Sequence, residues 1–178
     1  MNSKTESPFK VNFHELPRRA GEFRQYHLQF SAPQAIGIAL LEIPKAEPID
    51  ISFKAESVDG GVLLTGTVIS HAKGECGRCL EPIDFDVNQK FQELFLYSSK
   101  VNEVEEDEDE VFSLDGDIAD LEVPIRDAVI LSMPINPLCQ SDCLGLCSVC
   151  GLKWRELEKG HAHKASDPRW SGLADWKP

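Results

Sequence analysis

The sequence predicts an α+β fold: an antiparallel, partly barrel-like β-sheet with one central helix and a C-terminal segment stapled through cysteines. Three observations carry this. Apolar and polar residues alternate with a period of two from about residue 49 to 97, one stretch near residue 120 has helical spacing, and six cysteines fall in close pairs.

The elements follow in chain order. Phe9-Lys10-Val11-Asn12-Phe13 alternates, and so, less strictly, does Phe23 to Phe30, which predicts two strands around the basic turn Leu16-Pro17-Arg18-Arg19-Ala20-Gly21. Ile49 to Glu56 alternates cleanly, Gly60-Gly61 breaks the run as a hairpin would, and Val62 to Ile69 continues it. Ile83-Asp84-Phe85-Asp86-Val87 alternates and runs on toward Phe91, Leu94 and Leu96, completing an antiparallel meander with Cys76-Gly77-Arg78-Cys79 at its last turn. Farther on, Ile118, Leu121, Ile125 and Val129 predict a helix over about 119–132, with Pro124 tolerable in its first turn and Met133-Pro134 ending it. Asp167-Pro168 reads as the start of a short C-terminal helix carrying Trp170, Leu173 and Trp176. The division expected is a β-rich body over 1–133, including an acidic loop at about 101–111, and a cysteine-rich zinc-knuckle segment over 134–178.

Length and charge limit the functions open to the chain. At 178 residues it has room for one ordinary domain with a small appendage. A net charge of -12 excludes coating nucleic acid by bulk attraction, so any RNA contact has to be local. Seven of the eight residues from Glu103 to Glu110 are carboxylates, which predicts a solvated loop. No apolar run reaches the roughly 18 residues of a membrane span, and the start MNSKTESPFK lacks a secretory core, so a cytoplasmic protein is expected.

In a reducing compartment the cysteines read as metal ligands. Two residues between thiolates suit one tetrahedral zinc ion, and zinc wants four ligands, so pairs must meet. Two arrangements fit the spacing. In one, Cys76, Cys79, Cys139 and Cys143 form a centre and Cys147, Cys150, His161 and His163 form a second. In the other, Cys139, Cys143, Cys147 and Cys150 form a single local centre and leave Cys76 and Cys79 apart. One or two zinc ions per chain are therefore expected, in structural rather than catalytic sites, because a full ligand set leaves no open position.

No nucleophile motif, phosphate-cradling glycine loop or helical zinc-hydrolase motif occurs, so a non-enzymatic binding protein without a small-molecule substrate is expected. Cys76-Gly77-Arg78-Cys79 has the spacing of a dithiol redox pair, but Leu80-Glu81-Pro82 leads into a strand rather than a helix, which makes a thiol oxidoreductase the weaker alternative. A zinc-stabilised protein-interaction module with another cytosolic partner is the other. Arg18, Arg19 and Arg24 near one end, and Lys153, Arg155 and Arg169 near the other, are the candidate phosphate contacts.

Taken in order, Glu75-Cys-Gly-Arg-Cys-Leu-Glu-Pro82, Asp120-Leu121 through Pro134, Pro137 to Gly151 with its four cysteines, and Asp167-Pro-Arg-Trp170 resemble the YceD (DUF177) family of large ribosomal RNA subunit accumulation proteins. Leu16-x-Arg-Arg-x-Gly21 resembles its actinobacterial members. The resemblance implies a cytoplasmic factor for 23S rRNA accumulation and large-subunit assembly. Its partner would be the 23S rRNA precursor, a large-subunit ribosomal protein or an assembly factor. His161 and His163 stand where other members carry Cys-x-Cys, an exchange compatible with ligand duty.

Overall fold

A computed structural model describes residues 7–99, 111–163 and 169. Alternation sets the sheet. Along Pro48–Val58 (β5) the side chains of Ile49, Ile51, Phe53 and Ala55 are buried on one face, and along Gly61–Glu75 (β6) Val62, Leu64, Val68 and Ala72 continue that face. Pro82–Leu96 (β7) adds Val87, Phe91 and Phe95, and Phe23–Ser31 (β2) lies antiparallel to β5 with Phe30 opposite Ile49. Gly60, at φ 86°, supplies the left-handed turn residue between β5 and β6.

The strand β6 is the organiser. Its whole length pairs with β7, while its other edge is shared: Gly61 to Ile69 pair with β5, and Lys73 and Gly74 pair with Leu41–Ile43 (β4). Ile36–Ile38 (β3) hairpins onto β4. Because one edge of β6 serves two partners in succession, the mostly antiparallel sheet curls into a half-barrel. The hairpin over residues 36–43 was not among the elements expected from the sequence.

The concave side is closed by a helix and a small ribbon. Glu122–Ser132 (α1) buries Pro124, Ile125 and Val129 and packs against β7 and β3. Lys10–Asn12 (β1) pairs with Ile118–Asp120 (β8), placing Val11 opposite Ala119. Aromatic rings knit the core, with Phe9 edge-on to Phe30 at 4.7 Å and Phe13 edge-on to Tyr26 at 5.2 Å.

The helix differs from its sequence expectation at one end. It starts at Glu122, not at about 119, because residues 118–120 are claimed by pairing with β1. The Asp120 carboxylate then accepts a hydrogen bond from the Glu122 amide at 3.0 Å, satisfying one of the orphan donors of the first turn. Pro124 falls in that first turn, and the helix ends before Met133-Pro134, as the local rules require. The expected acidic loop, apart from Val111, and the C-terminal helix, apart from Arg169, lie outside the described residues.

Candidate metal centres

The β6–β7 hairpin delivers Cys76 and Cys79 to the segment that follows α1. There the Gly77 amide donates to the Pro137 carbonyl at 2.8 Å, and the Arg78 guanidinium donates to the Cys143 carbonyl at 2.8 Å. These two bonds dock the hairpin tip on the cysteine-rich loop. A Cβ at Gly77 would lie 1.9 Å from the Asn136 side-chain oxygen, so a larger residue here would displace the Asn136 side chain from the docked hairpin tip.

The docking gathers four thiols. The ligand atoms of Cys76, Cys79, Cys139 and Cys143 lie within 4.8 Å of one another, with Cys76 and Cys143 in contact at 3.8 Å and Cys79 and Cys139 at 3.6 Å. A tetrahedral ion with metal–sulfur bonds of about 2.3 Å has sulfur–sulfur edges of about 3.8 Å. The four sulfurs therefore already stand at the spacing such an ion needs, and three of the four residues are buried. The second group is Cys147, Cys150, His161 and His163, also within 4.8 Å, with Cys150 Sγ 3.6 Å from His161 Nε2. Trp154, in the short 3-10 turn Trp154–Glu156, sets its ring edge-on to His161 at 5.7 Å. Both groups could hold a metal ion. The geometry is that of two tetrads and not of one local centre from the last four cysteines.

The two Cys-x-x-Cys turns share one backbone design. In the first, the Leu80 amide donates to the Cys76 carbonyl at 2.9 Å and the Cys76 amide to the Glu81 carbonyl at 2.8 Å; in the second, Gly151 donates to Cys147 at 2.8 Å and Cys147 to Leu152 at 2.8 Å. Each turn also aims amides at sulfur. Burial opposes ionisation of Cys76, but main-chain amides of Cys139, Arg78 and Cys79 outweigh it and bring the thiol down to about 6. The amides of Cys150 and Val149 bring Cys147 to about 6 against the effect of burial. Cys139 is pushed up to about 12 by burial and by the neighbouring sulfurs. Four thiolates cannot be crowded together without a compensating cation, and a divalent ion supplies one.

The shared design makes one residue anomalous. The position after the second cysteine needs φ near +60° to +70°; Gly151 takes 71° at no steric cost, whereas Leu80 takes 59° while 56% exposed. Leu80→Gly is expected to leave stability unchanged or raise it by up to about 1 kcal/mol, since relief of the left-handed strain outweighs the added chain entropy. Urea unfolding checks this, and a loss above about 1 kcal/mol would show that Leu80 packs against something.

The candidate phosphate contacts are mostly engaged within the chain. Arg18 pairs with Asp117 at 2.7 Å and lies over the Tyr97 ring at 4.7 Å, and Arg24 pairs with Glu15 at 2.8 Å. Arg18 and His14 hold the Asp117 carboxyl below the ordinary carboxylate range. Lys153 reaches Glu81 at 2.8 Å and Arg155 contacts the same carboxylate, so this pair staples the second cysteine turn to the first. Arg19 and Arg169 are exposed. The cation–carboxylate partners were not legible in the sequence, since they lie 99 residues apart for Arg18 and 72 for Lys153.

The dithiol redox geometry is not what the hairpin provides. Cys76 is fully buried and Cys79 nearly so, and the chain runs from them into β7 rather than into a helix whose N-terminus would activate a thiolate.

Comparison with known proteins adds the family. The family described as large ribosomal RNA subunit accumulation protein YceD matches residues 64–177, a stretch that contains both cysteine groups. Uncharacterized proteins of Mycobacterium bovis and Mycobacterium tuberculosis are each 40% identical over 169 residues, covering 95% of this chain and 81% of the relative. An uncharacterized protein of Mycobacterium leprae is 36% identical over 169 residues, covering 95% and 77%. No solved structure matches the chain. Among the described residues no helix is long and apolar enough to cross a membrane.

Proposed function

The chain belongs to the YceD family, and from that premise we propose that it is a non-enzymatic factor for 23S rRNA accumulation and assembly of the large ribosomal subunit, held in shape by two zinc ions. The family match over residues 64–177 is the observation that carries this reading. Zinc suits the donors best: thiolate and imidazole ligands in fours, without an open position, are the chemistry of structural zinc. On this reading the inner ion would be held by Cys76, Cys79, Cys139 and Cys143, and the outer by Cys147, Cys150, His161 and His163. The factor works in the cytoplasm by binding, without turnover.

Its partner on this reading is precursor 23S rRNA, a large-subunit protein or another assembly factor. Phosphate contacts would come from Arg18, Arg19 and Arg24 at one end and Lys153, Arg155 and Arg169 at the other. Those already paired with carboxylates must exchange one partner for another, which makes such contacts weak and salt-sensitive. The same pairing favours a second reading, in which the acidic body holds a basic protein.

Capture of the tagged protein from a gentle low-salt lysate, with 23S measured against 16S rRNA and a high-salt control, tests the assembly role. Enrichment of 23S is expected. Equal recovery of the two rRNAs, or recovery of neither, counts against it. With Arg18 and Arg19 both replaced by Glu, loss of enrichment supports direct RNA contact, and unchanged enrichment at every salt concentration overturns that contact.

A further inference from the structure

The outward side of α1 breaks the rule that a helix on a small domain turns apolar residues inward. Its buried side is Pro124, Ile125 and Val129. On the opposite side Val123, Asp127 and Leu131 follow one another at four-residue intervals and so line up along the helix, and Ile135 is exposed just past its end, where the chain has turned extended. Val123 is 45% exposed, Leu131 85% and Ile135 91%. A helical row that holds Leu131 almost wholly in water, with an equally exposed Ile135 close after it, is more apolar surface than an outward helix face ordinarily presents.

The charge at its centre has one sign. Asp127 is exposed between Val123 and Leu131, and its charge reaches the half-buried Glu93 of β7, the strand against which α1 packs. Burial, and after it the Asp127 charge, push the Glu93 carboxyl up. The one cation of α1, Arg126, is turned toward β3, where it donates to the Ala35 carbonyl at 3.5 Å. Lys90 of β7 alternates onto the other face of the sheet from Glu93. The surface therefore offers two carboxylates flanked by aliphatic side chains.

We propose that this face of α1, with Glu93 of β7, is a docking surface for a basic segment of a protein partner, a short stretch with Lys or Arg at its centre and aliphatic residues at its ends. Charge complementarity selects the occupant: nucleic acid is repelled by Asp127 and Glu93, whereas a guanidinium or ammonium set between them relieves their repulsion and lets the flanking aliphatic groups leave water. The inference rests on the assembly reading above, because basic segments that later bind RNA are what such a factor would meet before the RNA does.

The test uses the full chain with its metals and a fluorescent synthetic peptide, Lys and Arg in the middle and Leu or Val at both ends, read by anisotropy. Binding that weakens with salt is expected, with a loss of tenfold or more for Asp127→Lys, several-fold for Leu131→Ser, and no comparable loss for Asp59→Lys at the β5–β6 turn, off the α1 face. Unchanged thermal midpoints show that these variants fold. The proposal is overturned if the peptide does not bind, if Asp127→Lys and Leu131→Ser leave binding intact, or if Asp59→Lys weakens it equally, which would reduce the effect to bulk acidity. Single-stranded RNA binding here in place of the peptide also overturns it. The 23S capture separates the two claims: enrichment without peptide binding sinks the surface and leaves the assembly role, and peptide binding without enrichment does the reverse.

Discussion

Cys76→Ser is expected to remove one of the two zinc ions proposed per chain and to lower stability by several kcal/mol, a fall of roughly 10 °C or more in the thermal midpoint for a chain of this size. The reason is topological. Cys76 and Cys79 sit on the β6–β7 hairpin, Cys139 and Cys143 lie beyond α1, and the contacting sulfurs are 67 and 60 residues apart in sequence. An ion held there ties the curled sheet to the segment that follows the helix. A serine hydroxyl in that place is a poor zinc ligand in a buried site, and it leaves three thiols without their counter-ion.

Cys150→Ser makes the contrast. It too is expected to cost one ion, but the midpoint should move by only a few degrees, because Cys150 is exposed and its tetrad spans a single stretch from Cys147 to His163. Metal content by elemental analysis and thermal unfolding by circular dichroism, measured on the same samples, check both. Equal midpoints for Cys76→Ser and the unaltered protein would sink the structural assignment of the inner tetrad. Equal, large losses for both variants would mean that the two centres form one cooperative unit.

The meander from Ile49 to Leu96 is legible in the sequence because each strand hides one face and wets the other, a local property. The Cys-x-x-Cys turn at its end is legible for the same reason. What escapes a sequence reading is long-range or very short. Ile118 to Asp120 fits a helical spacing with Leu121 and Ile125, and only pairing with Lys10 to Asn12, over a hundred residues earlier, makes it a strand. The hairpin of β3 and β4 has three-residue strands, too brief for a period to register. Spacing allows two groupings of the cysteines; the grouping in the structure follows from the Gly77 and Arg78 contacts to Pro137 and Cys143, which no spacing rule contains. Likewise, a count of cations near the termini suggests phosphate contacts without revealing that Asp117 and Glu81 already occupy several of them.

Gly66→Val is expected to have the other large effect, and it reaches the metal without touching a ligand. Gly66 lies at the middle of β6, opposite Phe53 of β5 and Phe91 of β7, whose rings tilt together with centroids 6.2 Å apart. A Cβ at this position would stand 2.4 Å from the Phe53 Cβ and 2.5 Å from the Ser52 carbonyl oxygen. Those atoms belong to or adjoin the backbone of the paired strand, so no rotamer change makes room and β5 must separate from β6. The cost should exceed about 3 kcal/mol, a large part of the roughly 5–15 kcal/mol that holds a typical domain, with Gly66→Ala less severe but still destabilising. Thr65→Val, one position away on the exposed face, should be near neutral. Because β6 also carries Cys76 to its docking place, opening the strand pair should release the inner ion, whereas the outer tetrad, whose ligands are close in sequence, should keep its own. Chemical unfolding together with metal content distinguishes this from simple loss of solubility: retention of both ions at an unchanged unfolding midpoint would show that the sheet yields to the added methyl groups and that its curl is not what positions the inner centre.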